Sequence, residues 1–279
     1  MIIHSDWHIH SEYSYDAQNT LEAIAEGAKK QGLAKVGITD HLNFNDKKFI
    51  GDIQNSAKGV QEAQKQYPFM VLGVELTPIE RPEFEYIAKN NGLREGYIPP
   101  VQSTPYEICL GMSKEELKLL GVRYAIGAAH WRVDTPNAKD LPADLAIELK
   151  EWHRQQMFLA CDERVTILGH PWWNARKLWY EDFSVIPRSM HEELASALKE
   201  NGKYVECNRH FFMPYVASEK LSRQYAEFLR EMFEKGVPVT YGSDSHGNYC
   251  DEREFTEKYL RLAGFKEGDL SEIAEKDLW

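Results

Sequence analysis

Long apolar runs are missing from this 279-residue chain. None approaches the roughly 20 residues that a membrane helix requires. No basic segment followed by an apolar stretch opens the chain either, so neither a membrane span nor a signal peptide is expected. Cysteine is sparse and scattered: Cys109, Cys161, Cys207 and Cys250 form no C-x-x-C pair. A reduced, cytoplasmic protein is the simplest reading. Positive charge is also short. The formal net charge of −11 argues against a general nucleic-acid or membrane-surface binder. It leaves room for an anionic substrate, because bound cations can reverse the local field. Finally, no fixed-period repeat, low-complexity tract or flexible linker divides the chain, so residues 1–279 read as one domain.

What the chain does contain is a regular alternation. Short apolar runs lie near 2–7, 35–40, 70–75, 124–129, 165–169, 203–207 and 237–242. Helix-like segments separate them. Leu21, Ile24, Ala25 and Ala28 recur at helical spacing, with Asn19 or Thr20 as cap and Gly32 as stop. Further helices are expected near 53–66, over 141–161 with Pro142 at its start, and over 188–201, 218–235 and 252–263. Seven such strands predict a parallel α/β sheet buried on both faces. If the sheet closes, the C-terminal ends of its strands meet on one rim, where barrel enzymes place their chemistry. Residues 77–122 break the rhythm with Pro78, Pro82, Pro99, Pro100 and Pro105. An insertion that long reads as a lid or a decorated loop. Ser113 and Glu116 form a capping-box pattern within it.

The ends of the apolar runs carry the chemistry. His8 and His10 follow the first, with Asp16 just beyond. His41 follows the second, Glu75 ends the third, His130 the fourth and His170 the fifth. Asp244 and His246 follow the last. Neutral imidazoles and carboxylates are the donors that hold borderline divalent metals. In the H-x-H pair the spacing of two puts both imidazoles on one side of a strand. Asp6, Asp40 and Ser245 adjoin these residues and are candidates to orient the imidazoles. His4 reads as strand packing, and His153 and His191 as exposed or capping residues on helices.

In that order, H-x-H, TDH, GVE, AAH, GHP and SDSH, the chain resembles the PHP (polymerase and histidinol phosphatase) family. The resemblance implies a distorted, TIM-like (β/α)7 barrel with two or three divalent ions, zinc, iron or manganese, at the C-terminal strand ends. It implies His8, His10, Glu75 and Asp244 around one ion, and Glu75, His130 and His170 around a second. Asp16, His41 and His246 would hold a third; many members carry histidine where this chain has Asp16. Glu75, Asp244 and His246 take the catalytic roles in this reading, and hydroxide generated by the metals attacks phosphorus.

Neighbouring residues suggest the substrate contacts. Trp131 and Trp172, with Trp173, follow site histidines and can wall the pocket. Arg132, Arg209 and His210, with Arg176 and Lys177, can reach a phosphate from the same face. Glu206 and Asn208 match the histidinol-phosphatase pattern at the sixth strand, whereas Arg209 replaces a threonine and Phe211 and Phe212 follow. The expected function is hydrolysis of a small phosphorylated metabolite, with a histidinol-phosphate-type monoester as the most specific form. The alternatives are a nucleotide phosphatase or phosphodiesterase, an amidohydrolase-type lactone or amide hydrolase, and a non-catalytic metal-stabilised module. The fourth strand end lacks the lysine typical of amidohydrolases, and a complete ligand set argues against the non-catalytic module.

Overall fold

Thr20 begins the first helix as the spacing predicts: its side chain accepts the Ala23 amide, and Gly32 ends the helix at φ 66°. Asn19, the other candidate cap, has a different task. Its amide donates to the carbonyls of His10 and Ser245, on opposite ends of the chain. The computed structural model of the chain describes residues 2–92, 104–132 and 143–279.

The elements run β1 (Ser5–Ile9), α1 (Leu21–Gln31), β2 (Lys35–Ile38), β3 (His41–Leu42), α2 (Lys47–Ala63) and β4 (Met70–Leu76). Next come β5 (Ile79–Glu80), α3 (Arg81–Asn90), β6 (Ile108–Cys109), α4 (Lys114–Leu119), β7 (Tyr124–Gly127), α5 (Leu145–Cys161) and β8 (Ile167–Leu168). The chain ends with α6 (Arg188–Glu200), β9 (Tyr204–Asn208), α7 (Glu219–Glu234), β10 (Val239–Gly242) and α8 (Arg253–Leu262). Among the described residues the main sheet follows the order β1-β2-β4-β7-β8-β9-β10, every pair parallel, with β3 extending the pairing along β4. Its two edges nearly meet. The His10 amide donates to the Ser245 carbonyl at 3.0 Å, and the Asp244 amide to His8 at 2.7 Å. The sheet is therefore a nearly closed seven-stranded α/β barrel, as expected.

Several boundaries differ from expectation. The helix expected near 53–66 runs from Lys47 to Ala63, capped by Asp46. The first strand starts at Ser5 rather than residue 2. Ile2 and Ile3 are buried, but their amides bond to the Glu257 carboxylate instead of a neighbouring strand. The helix expected over 141–161 is described from Leu145, capped by Asp144; Pro142 lies outside the described residues. In the 77–122 stretch, residues 93–103 also lie outside them. The rest holds an antiparallel pair, β5 with β6, and two helices, of which α4 carries the Ser113–Glu116 capping box.

Most helices cover the outside through an extensive apolar core. A separate cluster inside the barrel joins Trp7, Val71, Tyr124, Ile126 and Ile167. The Tyr124 ring crosses this interior, and its hydroxyl donates to the Trp7 carbonyl at 2.6 Å. Gly37 makes the crossing possible, because a Cβ there would collide with that hydroxyl. The interior is thus packed below the rim, and the polar residues gather above it. No helix among the described residues is long and apolar enough to cross a membrane, and all four cysteines are free.

Candidate metal centre

The nine expected donors come from seven places on one rim and converge there. His8 lies within β1 and His10 just beyond it, so the strand alternation aims both rings inward. Their Nε2 atoms are 3.1 Å apart. Glu75, fully buried on β4, stands 3.5 Å from each of them through its two oxygens. Asp244 Oδ1 is 3.5 Å from His8 Nε2 and 3.2 Å from His10 Nε2. Glu75 Oε1 also meets His130 Nε2 at 3.4 Å and His170 Nε2 at 3.1 Å. A third group lies beside these: His41 Nε2 is 3.5 Å from Asp16 Oδ2 and 3.3 Å from His246 Nε2, which is 3.6 Å from the same Asp16 oxygen.

Those spacings test whether cations fit. Four N or O donors at about 2.0–2.1 Å from a tetrahedral ion lie about 3.3–3.4 Å from one another. The edges found, 3.1 to 3.6 Å, bracket that value in all three groups. Ring nitrogens this close with lone pairs face to face repel unless a cation or proton lies between them. The donor set is a metal-binding His/Glu cluster, with His10–His41–His246, His8–His10–Glu75 and His41–Glu75–His130 each within joint reach of one ion. His41 Nδ1 also approaches Glu75 Oε2 to 2.6 Å, which links the Asp16–His41–His246 group to the donors around Glu75.

The outer nitrogens explain why the inner ones are free to coordinate. His8 Nδ1 lies 2.7 Å from Glu206 Oε1, a carboxylate that can only accept, so the proton sits on Nδ1 and the Nε2 lone pair faces the cluster. The other Glu206 oxygen accepts the His170 amide and the Asn208 side-chain amide. The Thr77 hydroxyl donates to Asn43 Oδ1 at 2.6 Å and therefore accepts from His130 Nδ1 at 3.0 Å. His246 Nδ1 donates to the Asp244 carbonyl at 3.1 Å. Sequence reasoning left Glu206, Thr77 and Asn43 without these tasks. Asp6, Asp40 and Ser245 instead brace the backbone. Asp40 takes the Ser11 amide and two serine hydroxyls, Asp6 takes the Ser243 amide and the Tyr249 hydroxyl, and Ser245 binds Asn19. Gly242 leaves Glu206 its room, since a Cβ there would run into the carboxylate and into His8.

A cavity of about 390 Å³ opens over the cluster, walled by Tyr15, Asn43, Trp131, Trp173 and His210. Of the expected substrate contacts, Trp131, Trp173 and His210 line it, the last with Nδ1 3.4 Å from Asp244 Oδ2. Trp172, Arg209, Arg132, Arg176 and Lys177 do not. Trp172 is fully buried against Trp179 and His191, because the turn after β8 sends Trp173 to the wall instead. Arg209 is buried and pairs with Glu252 at 2.6 Å. Arg132 is buried beside Glu148 at 3.5 Å.

Residues 6–210 match the model of the PHP domain family. This chain belongs to that family. A curated protein of Acetivibrio thermocellus described as "Probable phosphatase" is 26% identical over 243 residues, which are 86% of this chain and 78% of the relative. A solved structure of histidinol phosphate phosphatase from Lactococcus lactis, complexed with zinc, L-histidinol and phosphate, superposes with a TM-score of 0.66 at 18% identity. The match covers 100% of this chain and 99% of that one. The shared fold is that of the whole barrel.

Electrostatics in this PHP domain keep the carboxylates ionised. Burial alone would raise Glu75, but His130, His41 and His8 hold it well below the usual range. Burial acts against Asp244 in the same way and is outweighed by His8, His10 and His210. Asp16 is likewise held at about 2, against its burial, by His41 and His246. His41 is raised to about 10 despite its burial, because Glu75 and Asp16 flank it. His10 falls well below its ordinary value through burial and the neighbouring His41. Anionic oxygens and imidazoles crowded together in one site are the partners a divalent cation satisfies best.

Proposed function

We propose that this PHP domain is a metal-dependent phosphomonoesterase. The observation that carries the reading is the set of donor–donor edges of 3.1 to 3.6 Å around Glu75 and around Asp16. His8, His10, Glu75 and Asp244 would hold one cation. His130 and His170, sharing Glu75, would hold a second, and Asp16, His41 and His246 a third. Such ions supply Lewis acidity: they lower the pKa of water towards ~7 and neutralise charge on phosphoryl oxygens.

The chain's own residues do the rest. Glu206 and the Thr77–Asn43 pair fix the ring orientations, so the donor geometry exists before substrate arrives. His210, on the cavity wall beside Asp244, is placed to hydrogen-bond a phosphoryl oxygen. Trp131, Trp173 and Tyr15 offer aromatic faces to the organic group, and such faces also attract ammonium groups. With Arg132 and Arg209 engaged by Glu148 and Glu252, the phosphate is left to the cations and His210. The relative described as a phosphatase supports the reaction class. A histidinol-phosphate-type monoester is the first substrate to test, because it joins a flat ring and an ammonium to one phosphate.

The test is release of inorganic phosphate from a panel of monoesters, L-histidinol phosphate included, by protein loaded with zinc, manganese or iron. Turnover should vanish with a chelator and return with metal. No turnover of any monoester at full metal occupancy rejects the reading.

A further inference from the structure

The inner face of α5 is polar where an apolar face is expected. Glu148, Gln155 and Gln156 are buried there beside Leu149, Trp152 and Leu159. Buried amides and carboxylates are costly unless paired, so their partners reveal their task. Those partners lie on two loops, one after His130 and one after His170. Gln155 Nε2 donates to the Trp131 carbonyl at 2.9 Å. Gln156 Oε1 accepts the Trp172 amide at 3.0 Å. The Trp152 indole N–H donates to the Trp173 carbonyl. Glu148 accepts from Asn174 at 3.3 Å and lies 3.5 Å from Arg132.

The second loop needs such holding. His170 and Trp172 are not glycines, yet their φ angles are 22° and 63°. Backbone of that kind persists only where its surroundings over-determine it. The two loops carry the tryptophans that wall the cavity, with ring centroids 5.8 Å (Trp131) and 6.2 Å (Trp173) from that of His130. The helix thus grips the main chain of both walls from behind, without reaching the cavity itself.

We propose that Gln155, Gln156 and Trp152 on α5 are positioning residues that set the placement of Trp131 and Trp173, and so select monoesters with a flat aromatic organic group. The proposal rests on the phosphomonoesterase reading. Gln155→Met and Gln156→Met, made separately, remove a wall contact while keeping side-chain volume. In zinc-loaded protein, each methionine variant should raise KM for phenyl phosphate about tenfold. Its kcat, and both constants for glycerol phosphate, should stay within about twofold. Hydrogen exchange should quicken around residue 131 in Gln155→Met and over 171–177 in Gln156→Met, at unchanged zinc content. Unchanged exchange overturns the proposal, and so does an equal loss on both substrates. If the parent protein hydrolyses neither ester but turns over another monoester, the selectivity falls and the phosphomonoesterase reading stands; if it hydrolyses no monoester at all, both fall together. The exchange measurement, which needs no turnover, then decides separately whether α5 holds the loops.

Discussion

Glu206 sets one carboxylate oxygen 2.7 Å from Nδ1 of His8 and turns the other to the amide of His170. A single side chain on β9 therefore fixes donors supplied by β1 and by the loop after β8. Glu206→Gln keeps the shape but replaces a charged acceptor with a weaker one and brings an amide N–H towards the His8 N–H. Outer partners of ligating histidines are typically worth 10–100-fold in metal affinity. We expect Glu206→Gln to weaken zinc binding by about that factor with the far-ultraviolet circular dichroism unchanged. Competition against a chromophoric chelator measures it, and an affinity equal to the parent's would show that His8 needs no such partner.

The Thr77 hydroxyl has one direction open to it. Asn43 Oδ1 can only accept, so the hydroxyl proton points there and the oxygen receives His130 Nδ1–H. Thr77→Val keeps the branched shape and strands that N–H beside a methyl group. Metal retention at the Glu75–His130–His170 group should fall about tenfold or more, while Thr77→Ser should preserve it. Zinc stoichiometry after dialysis against a weak chelator separates the two variants, and equal stoichiometry would show that the His130 ring is held by packing alone.

How far the sequence foretold these relations varies with the residue. His8, His41, Glu75, His130 and His170 were legible because each sits at or just beyond the end of an apolar run, and parallel strands carry such ends to one rim. Glu206 gave a signal of its own, a carboxylate inside a buried strand, which must find a partner. Its partner is 198 positions away, and no local pattern names it. Trp172 was expected on the wall by adjacency to His170. The left-handed backbone at His170 and Trp172 turns the Trp172 ring into the core and leaves Trp173, expected there as well, on the wall. Arg132 and Arg209 have long side chains that turn to Glu148 and Glu252, residues whose proximity only the fold creates. His191, expected at the surface of its helix, is buried among Trp172, Phe183 and Phe228.

That burial has a consequence in acid. His191 is lowered to about 4 by burial, with Arg188 and His153 adding to it, whereas an unfolded histidine titrates near 6.5. Between those values the unfolded chain binds the extra proton. Stability from the neutral ring is thus complete above about pH 6.5 and declines as pH falls towards 4, by up to about 3 kcal/mol. His191→Phe suits the aromatic surroundings and removes the titration. The two proteins should differ little in urea midpoint at pH 7.5, and the variant should gain on the parent by roughly 2–3 kcal/mol at pH 4.5. The comparison cancels the cluster histidines common to both. A difference that does not change with pH would place the His191 proton elsewhere.

Among the described residues, Glu75 is the one carboxylate within 3.5 Å of Nε2 on four histidines, His8, His10, His130 and His170, and it pairs with His41 as well. It is fully buried, so little water compensates if its charge is lost. Glu75→Gln leaves the imidazoles in place but removes the anion that two groups of donors share. Turnover should fall about 10³-fold or more, equivalent to about 4 kcal/mol of barrier. The thermal response should change with it. Zinc at 1,000 times its Kd stabilises a binding-competent fold by about 4 kcal/mol, which is several degrees in Tm for a chain of this size. The parent protein should show that rise and lose it with a chelator, and Glu75→Gln should show little of either. A variant that keeps its zinc-dependent Tm but loses turnover would assign Glu75 to the reaction rather than to holding metal. One that keeps both would remove the bridging carboxylate from the proposed centre, because no other carboxylate of the cluster stands close enough to serve both the His8–His10 and the His130–His170 pairs.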